Sequence, residues 1–282
     1  MKLGYLTQFS EEEIKLASSI GFDGLEVQVS SWPAELRATA DGRKEIAKQI
    51  SDLSSKYNVY ITAIASYAGG IKPADERIAS YRQVIELASA AGVEVVTTLT
   101  GGDPDKNLDE NIQLFKETFS EVAKIAEANG VKIAFENWPG LGGYPPVKSV
   151  TFGFHPVAWQ KMFDVVPSEA LGLEFDPSHL VWQNIDYIAQ VKLFGPRIHH
   201  VHLKDTEIFE GRLSEVGIFG SGWWRYRIPG FGIVNWAEFI SALKEVGFDG
   251  GCAIEHEDPV FSGPRRVEGL KLGYNHLRPI IL

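Results

Sequence analysis

The segment Ile20–Val27 (IGFDGLEV) returns near the other end of the chain as Val246–Glu255 (VGFDGGCAIE). Both copies read as a helix C-cap glycine, a turn and the entry to a strand, the mark of a repeated strand–helix unit. The alternation runs the length of the chain. Short apolar and β-branched runs are expected as strands at Lys2–Thr7, Gly24–Val29, Val59–Ser66, Val93–Thr100, Val131–Asn137, Leu171–Asp176, Ile198–Asp205 and Gly251–His256. Amphipathic stretches predict the helices: one capped by Ser10 and closed by Gly21, then Arg43–Tyr57, Arg77–Ala91, Leu108–Asn129, His155–Val165, Asp186–Phe194, Trp236–Val246 and Arg265–Leu277.

Strands alternating with helices imply a parallel sheet. Eight units in 282 residues fit an α/β fold of the closed (β/α)8 TIM barrel type, in one domain over residues 1–282. The alternative is a doubly wound open sheet. A dinucleotide-binding sheet of that kind carries a Gly-rich fingerprint after its first strand, and none is present. Two connections are long for this architecture: Trp138–Phe154 after the fifth strand and Thr206–Asn235 after the seventh. In a barrel both fall at the C-terminal face, where active sites are built.

Composition narrows the partners. Lys plus Arg number 27 and Asp plus Glu 37, a net charge of −10 with no basic run, which argues against nucleic acid. No apolar run is long enough to cross a membrane. The N-terminus lacks the apolar core of a signal peptide, and the lone Cys252 rules out an intrachain disulfide, so a cytoplasmic location is expected. Assembly into a homo-oligomer is compatible with the sequence.

The stretch Ile198–Asp205 (IHHVHLKD) carries the densest chemistry. Alternation puts His200, His202 and Lys204 on one face, and His199 with Asp205 on the other. Two imidazoles and an ammonium on one face of a buried strand are costly unless something there needs them. The neighbouring strands end in matching fashion. The fifth ends in Glu136, the sixth in Asp176 with His179 three residues on, and the eighth in Glu255. A barrel gathers these ends at one mouth. Three carboxylates and a histidine there would repel one another without a cation, and a divalent metal with oxygen and nitrogen ligands is the natural solution. Glu26 and Glu174 also point inward by alternation and need partners, for which Lys132 is a candidate.

Eight strand–helix units carrying FEN at Phe135–Asn137, DPSH at Asp176–His179, HVHLKD at His200–Asp205 and IEHED at Ile254–Asp258 resemble the xylose isomerase-like barrel superfamily. More closely, they resemble its sugar phosphate isomerase/epimerase group, with ketose 3-epimerases and inosose dehydratases among the relatives. The resemblance covers essentially the whole chain. It implies that Glu136, Asp176, His202 and Glu255 hold one divalent ion, Mn2+, Co2+ or Mg2+. It also implies that His179 and Lys204 face a small carbohydrate substrate, and that Glu136 and Glu255 relay the proton in isomerisation or epimerisation.

That chemistry starts by removing a proton next to a carbonyl, with the enediolate charge held by the metal. His200 and one arginine of the loop before PGFG, Arg227, are expected to contact substrate, and Trp138, Trp223 and Trp224 to offer stacking faces, Trp138 above all. One departure stands out. The 3-epimerase relatives carry a second glutamate shortly after the fifth-strand ligand, where this chain has NWPGLGG. A lyase on the same site is therefore the alternative, eliminating water from an inosose or an aglycone from a 3-keto-glycoside. An abasic-site endonuclease would need more His and Asp ligands and a less acidic chain. A metal-free binding barrel is the remaining reading.

Overall fold

In the computed structural model, which describes residues 1–67, 73–142 and 148–281, the expected barrel is present and closed. Its strands are β1 (Lys2–Gln8), β2 (Gly24–Gln28), β3 (Tyr60–Ala65), β4 (Val95–Thr98), β5 (Lys132–Glu136), β6 (Leu171–Phe175), β7 (Ile198–Leu203) and β8 (Gly251–Ile254). Each pairs in parallel with its neighbours in chain order, and β1 closes on β8 with Leu3 opposite Cys252. Local chemistry sets the helices between them. Ser10 caps Glu11–Ile20 by accepting from the Glu13 amide, and Gly21 ends it at φ 105°, a left-handed turn that a side chain would strain. Asn107 and Glu110 cap Leu108–Ala128 reciprocally.

The main core lies between barrel and helices. Phe115 and Phe119 on Leu108–Ala128 pack against Phe135 of β5 with ring centroids 5.4 and 4.8 Å away. All three are buried, each contributing about 1.5–3 kcal/mol from apolar area removed from water. The barrel lumen differs. Ala63, Val95 and Ala134 form a small apolar patch there, and above it the interior is polar. Lumen space is kept by small residues. A Cβ on Gly251 would lie 2.7 Å from Nε2 of His200, so this glycine makes room for that imidazole.

Three connections are more ordered than the sequence suggested. The stretch after β7 was expected as a loop, but Asp205–Ile208 pairs antiparallel with Trp224–Arg227, and a helix, Glu210–Val216, lies between them. The hairpin was hidden because its arms lie far apart in sequence and each is only four residues long. After β6, Pro177–Trp182 forms a short helix with Asp176 as N-cap and Pro177 in its first turn. After β5, Leu141–Gly142 pairs with Lys148–Ser149, and the middle of that long connection, residues 143–147, lies outside the described residues. No described helix is long and apolar enough to cross a membrane.

Candidate metal centre

Four neighbouring strands deliver the cluster. Glu136 is the last residue of β5, Asp176 follows β6, His202 lies on β7 and Glu255 follows β8. His202 Nδ1 lies 3.4 Å from Glu136 Oε1 and 3.2 Å from Glu255 Oε2. His179 Nε2 lies 3.2 Å from Glu136 Oε1 and 3.3 Å from Asp176 Oδ2. Lys204 is fully buried, contacts Glu255, and places Nζ 3.3 Å from Asp176 Oδ2 and 3.0 Å from Glu257 Oε2. The six residues named for catalysis or metal binding, Glu136, Asp176, His179, His202, Lys204 and Glu255, thus meet in one place.

The charges settle one another. Burial opposes ionisation of Glu136, but the imidazoles of His179 and His202 hold its carboxyl well below the usual range. Burial likewise opposes ionisation of Glu255, yet the Lys204 ammonium brings it down to about 2. Burial works against charge on His202, and the carboxylates of Glu174, Glu255 and Glu26 outweigh it and raise the imidazole. Lys204 stays charged against burial because Glu255, Asp176 and Glu257 surround it.

The donor set fits a divalent cation. Asp176 spends Oδ1 on the amide of Ser178 at 2.8 Å, capping its helix. Its other oxygen is buried and makes no hydrogen bond, with His179 Nε2 and Lys204 Nζ each 3.3 Å away. His202 Nδ1 is buried and unbonded as well. Leaving such atoms unpaired costs about 1–3 kcal/mol each. Ligand atoms of Glu136, Asp176, Glu255 and His179 all lie within 4.8 Å of one another, as do those of His202, Glu136 and Glu174, and an imidazole nitrogen with three carboxylates suits Mn2+, Co2+, Mg2+ or Zn2+.

Beneath the cluster lies a second polar layer. Glu26, Glu174, His200 and His202 are fully buried. Tyr67 OH lies 3.0 Å from Glu26 Oε1 and 2.7 Å from Glu174 Oε2. Burial raises the carboxyls of both glutamates, and for Glu26 the nearby Glu174 adds to it. Two expectations are corrected here. Lys132 is not the partner of these acids; it is exposed, at the opposite end of β5 from Glu136. His200 is not placed to meet substrate. It lies beneath the cluster, with Nδ1 2.9 Å from Glu174 Oε1 and Nε2 3.3 Å from Thr62 Oγ1.

Tyr67 and Tyr226 were both missed. Tyr67 continues the inward alternation of Ala63 and Ala65, which could have revealed it. Tyr226 places its hydroxyl 2.8 Å from His179 Nδ1, and its ring lies 4.3 Å from the Lys204 ammonium. Arg227 does not join the cluster. It is buried, donates from Nε to Asp258 at 2.8 Å and pairs with Glu207, bracing the hairpin. Trp223 is buried and Trp224 stacks on Trp182 at 4.9 Å, both packing within the hairpin region. Trp138 is 37% exposed, just beyond Glu136 and Asn137.

His199 faces away from the lumen, and burial, aided by Lys132, lowers its imidazole to about 4. Its Nε2 lies 3.1 Å from the Glu169 carbonyl, which the neutral ring satisfies by donating. The unfolded chain therefore binds a proton here below pH 6.5 while the folded chain waits until about 4. This contribution to stability is complete above pH 6.5 and is lost as pH falls toward 4, a change of about 3 kcal/mol. Urea unfolding at pH 7.5 and 4.5 should show the wild type losing most of that, about 2.5 kcal/mol more than His199→Gln. Equal losses would rule the assignment out.

Comparison with known proteins bears on this geometry. The model of the xylose isomerase-like TIM barrel family matches residues 14–280. The uncharacterized protein YfiH of Bacillus subtilis (strain 168) is 30% identical over 312 aligned positions, spanning 93% of this chain and 94% of that protein. The inosose dehydratase of Bacillus thuringiensis (strain Al Hakam) is 24% identical, over 90% of this chain and 84% of the relative. Among solved structures, the IOLI protein with a bound zinc atom superposes with a TM-score of 0.75 at 20% identity, covering 100% of this chain and 98% of that one.

Proposed function

The chain belongs to the xylose isomerase-like TIM barrel family, and from that premise we propose that it is a divalent-metal-dependent sugar isomerase or epimerase. It would act on a small polyhydroxylated ketone by moving a proton next to the carbonyl. The observation that carries this reading is the pair of unbonded buried atoms, Asp176 Oδ2 and His202 Nδ1, set among the carboxylates of Glu136 and Glu255. Glu136, Asp176, His202 and Glu255 would hold the cation, which would supply Lewis-acid polarisation of a carbonyl.

The chain's own groups do the rest. Glu136 and Glu255 reach the site from β5 and β8, and His202 Nδ1 lies near both. Both carboxyls are held ionised, so either can take the proton and, as the acid so formed, return it to the neighbouring carbon; inversion at one carbon requires the other carboxyl to gain a proton from a substrate hydroxyl first. Lys204 offers positive charge to a substrate oxygen. His179, oriented by the Tyr226 hydroxyl, offers a ring N–H to another. Trp138, half exposed beyond β5, offers a face to the sugar. Arg227 serves through the hairpin it braces, and His200 through its bond to Glu174.

A second reading, elimination on the same site, is favoured by the inosose dehydratase relatives and by the His179–Tyr226 pair, which can protonate a departing hydroxyl. One experiment separates them: a panel of keto-sugars, inososes and 3-keto-glycosides with Mn2+ in D2O, read by mass spectrometry and NMR. Isomerisation or epimerisation gives a product of the same composition, with solvent deuterium at the carbon that lost its proton. Loss of water or of an aglycone identifies the lyase. No turnover and no stoichiometric divalent ion would reject both.

A further inference from the structure

We infer that Glu26, on β2 at the far side of the barrel from the ligand strands, is a positioning residue that orients His202 and fixes its ring tautomer for metal binding. The inference rests on the reading of His202 as a ligand. It concerns a residue outside the set Glu136, Asp176, His202 and Glu255.

The geometry is specific. His202 Nε2 lies 2.9 Å from Glu26 Oε2 and 3.1 Å from Glu174 Oε1. The carboxyl oxygens of Glu26 and Glu174 that face Nε2 serve as its acceptors, so the ring hydrogen belongs on Nε2. Once a cation displaces the second ring proton, that leaves the lone pair on Nδ1, the atom facing Glu136 and Glu255 and making no hydrogen bond of its own. A histidine that donates one ring N–H to a carboxylate while its other nitrogen faces a cation is the usual carboxylate–histidine–metal arrangement.

Glu26 also groups with Glu174 and His200, but its shortest contact to an imidazole is the one to His202. Glu26 is fully buried. Its Oε1 takes the Thr97 hydroxyl and lies 3.0 Å from Tyr67 OH, while Oε2 faces His202. Glu174 is satisfied in parallel, Oε1 by His200 and Oε2 by Tyr67. Four donor groups, from Thr97, Tyr67, His200 and His202, therefore meet four carboxylate oxygens. No oxygen is left over, and removing Glu26 leaves Nε2 of His202 only the longer contact to Glu174 Oε1 at 3.1 Å, on an oxygen that His200 also approaches at 2.9 Å.

The test uses the full-length protein and Co2+, whose absorption spectrum reports the ligand field. Wild type is expected to bind one Co2+. Glu26→Leu removes the acceptor and should weaken Co2+ binding ten- to hundredfold with an altered visible spectrum. Glu26→Gln keeps a neutral acceptor oxygen and should recover most of that loss. Unchanged affinity and spectrum in folded Glu26→Leu would overturn the inference while leaving the metal centre intact. Wild type without bound Co2+ would instead overturn the metal reading, and this inference with it. Long-range proton–nitrogen NMR of the Zn2+-loaded wild type decides independently of how the variants fold. A protonated Nε2 and a coordinated Nδ1 on His202 support the inference, and coordination through Nε2 refutes it.

Discussion

Glu136→Gln and Glu255→Gln are each expected to lower turnover by about a thousandfold, the scale of losing a positioned proton acceptor. Each change keeps size and removes one negative charge. At Glu136 it also sets an amide against donors: the carboxylate now lies 3.2 Å from His179 Nε2, and an NH2 group there would face another N–H. At Glu255 the change frees Lys204, whose ammonium now contacts that carboxylate. Both variants should also hold metal more weakly, because the set falls from three carboxylates to two. Initial rates on the substrate found by the panel, together with metal content after dialysis, measure the two effects. Either variant keeping more than a tenth of wild-type turnover would remove that residue from the proton relay.

The second large effect is on stability. Lys204 is a buried cation among Asp176, Glu255 and Glu257. Lys204→Met keeps much of the volume but leaves those carboxylates without their counter-charge. Removing one partner of a buried pair typically costs about 3–5 kcal/mol. The metal-free variant should therefore unfold at much lower urea than metal-free wild type. Saturating Mn2+ should narrow the gap, since an ion that binds only the folded chain stabilises it. Denaturant midpoints with EDTA and with Mn2+ give the comparison. A variant as stable as wild type in EDTA would mean that the acids do not depend on Lys204.

Much of the site was readable because two rules act together. Strand alternation assigns a side, which put His202 and Lys204 inward, and barrel closure brings consecutive strand ends to one mouth, which grouped Glu136, Asp176 and Glu255. Neither rule assigns height. Lys132 shares a face with Glu136, but four strand residues separate them by about 13 Å, and the lysine ends in solvent. His200 sits about 6–7 Å below His202 for the same reason, so a side chain on the right face lies under the site. Contacts across the lumen were not readable at all: Glu26 meets His202 over a separation of 176 residues. Arg227 shows the matching failure in the loops, where its partner Asp258 belongs to the next strand–helix unit.

The polar layer across the lumen ties formation of the metal centre to completion of the fold. The proposed ligands all come from the last four strand–helix units, residues 136 to 255, whereas Glu26, Tyr67 and Thr97 come from the first four. A C-terminal half-barrel, even with its strands paired, would carry every ligand and lack the groups that hold His202 and Glu174 in place. High-affinity capture of the ion should therefore arrive late in folding, after β1 closes on β8. Metal bound at the proposed site would report ring closure, and a chain arrested before closure would present its acids to solvent without a cation between them.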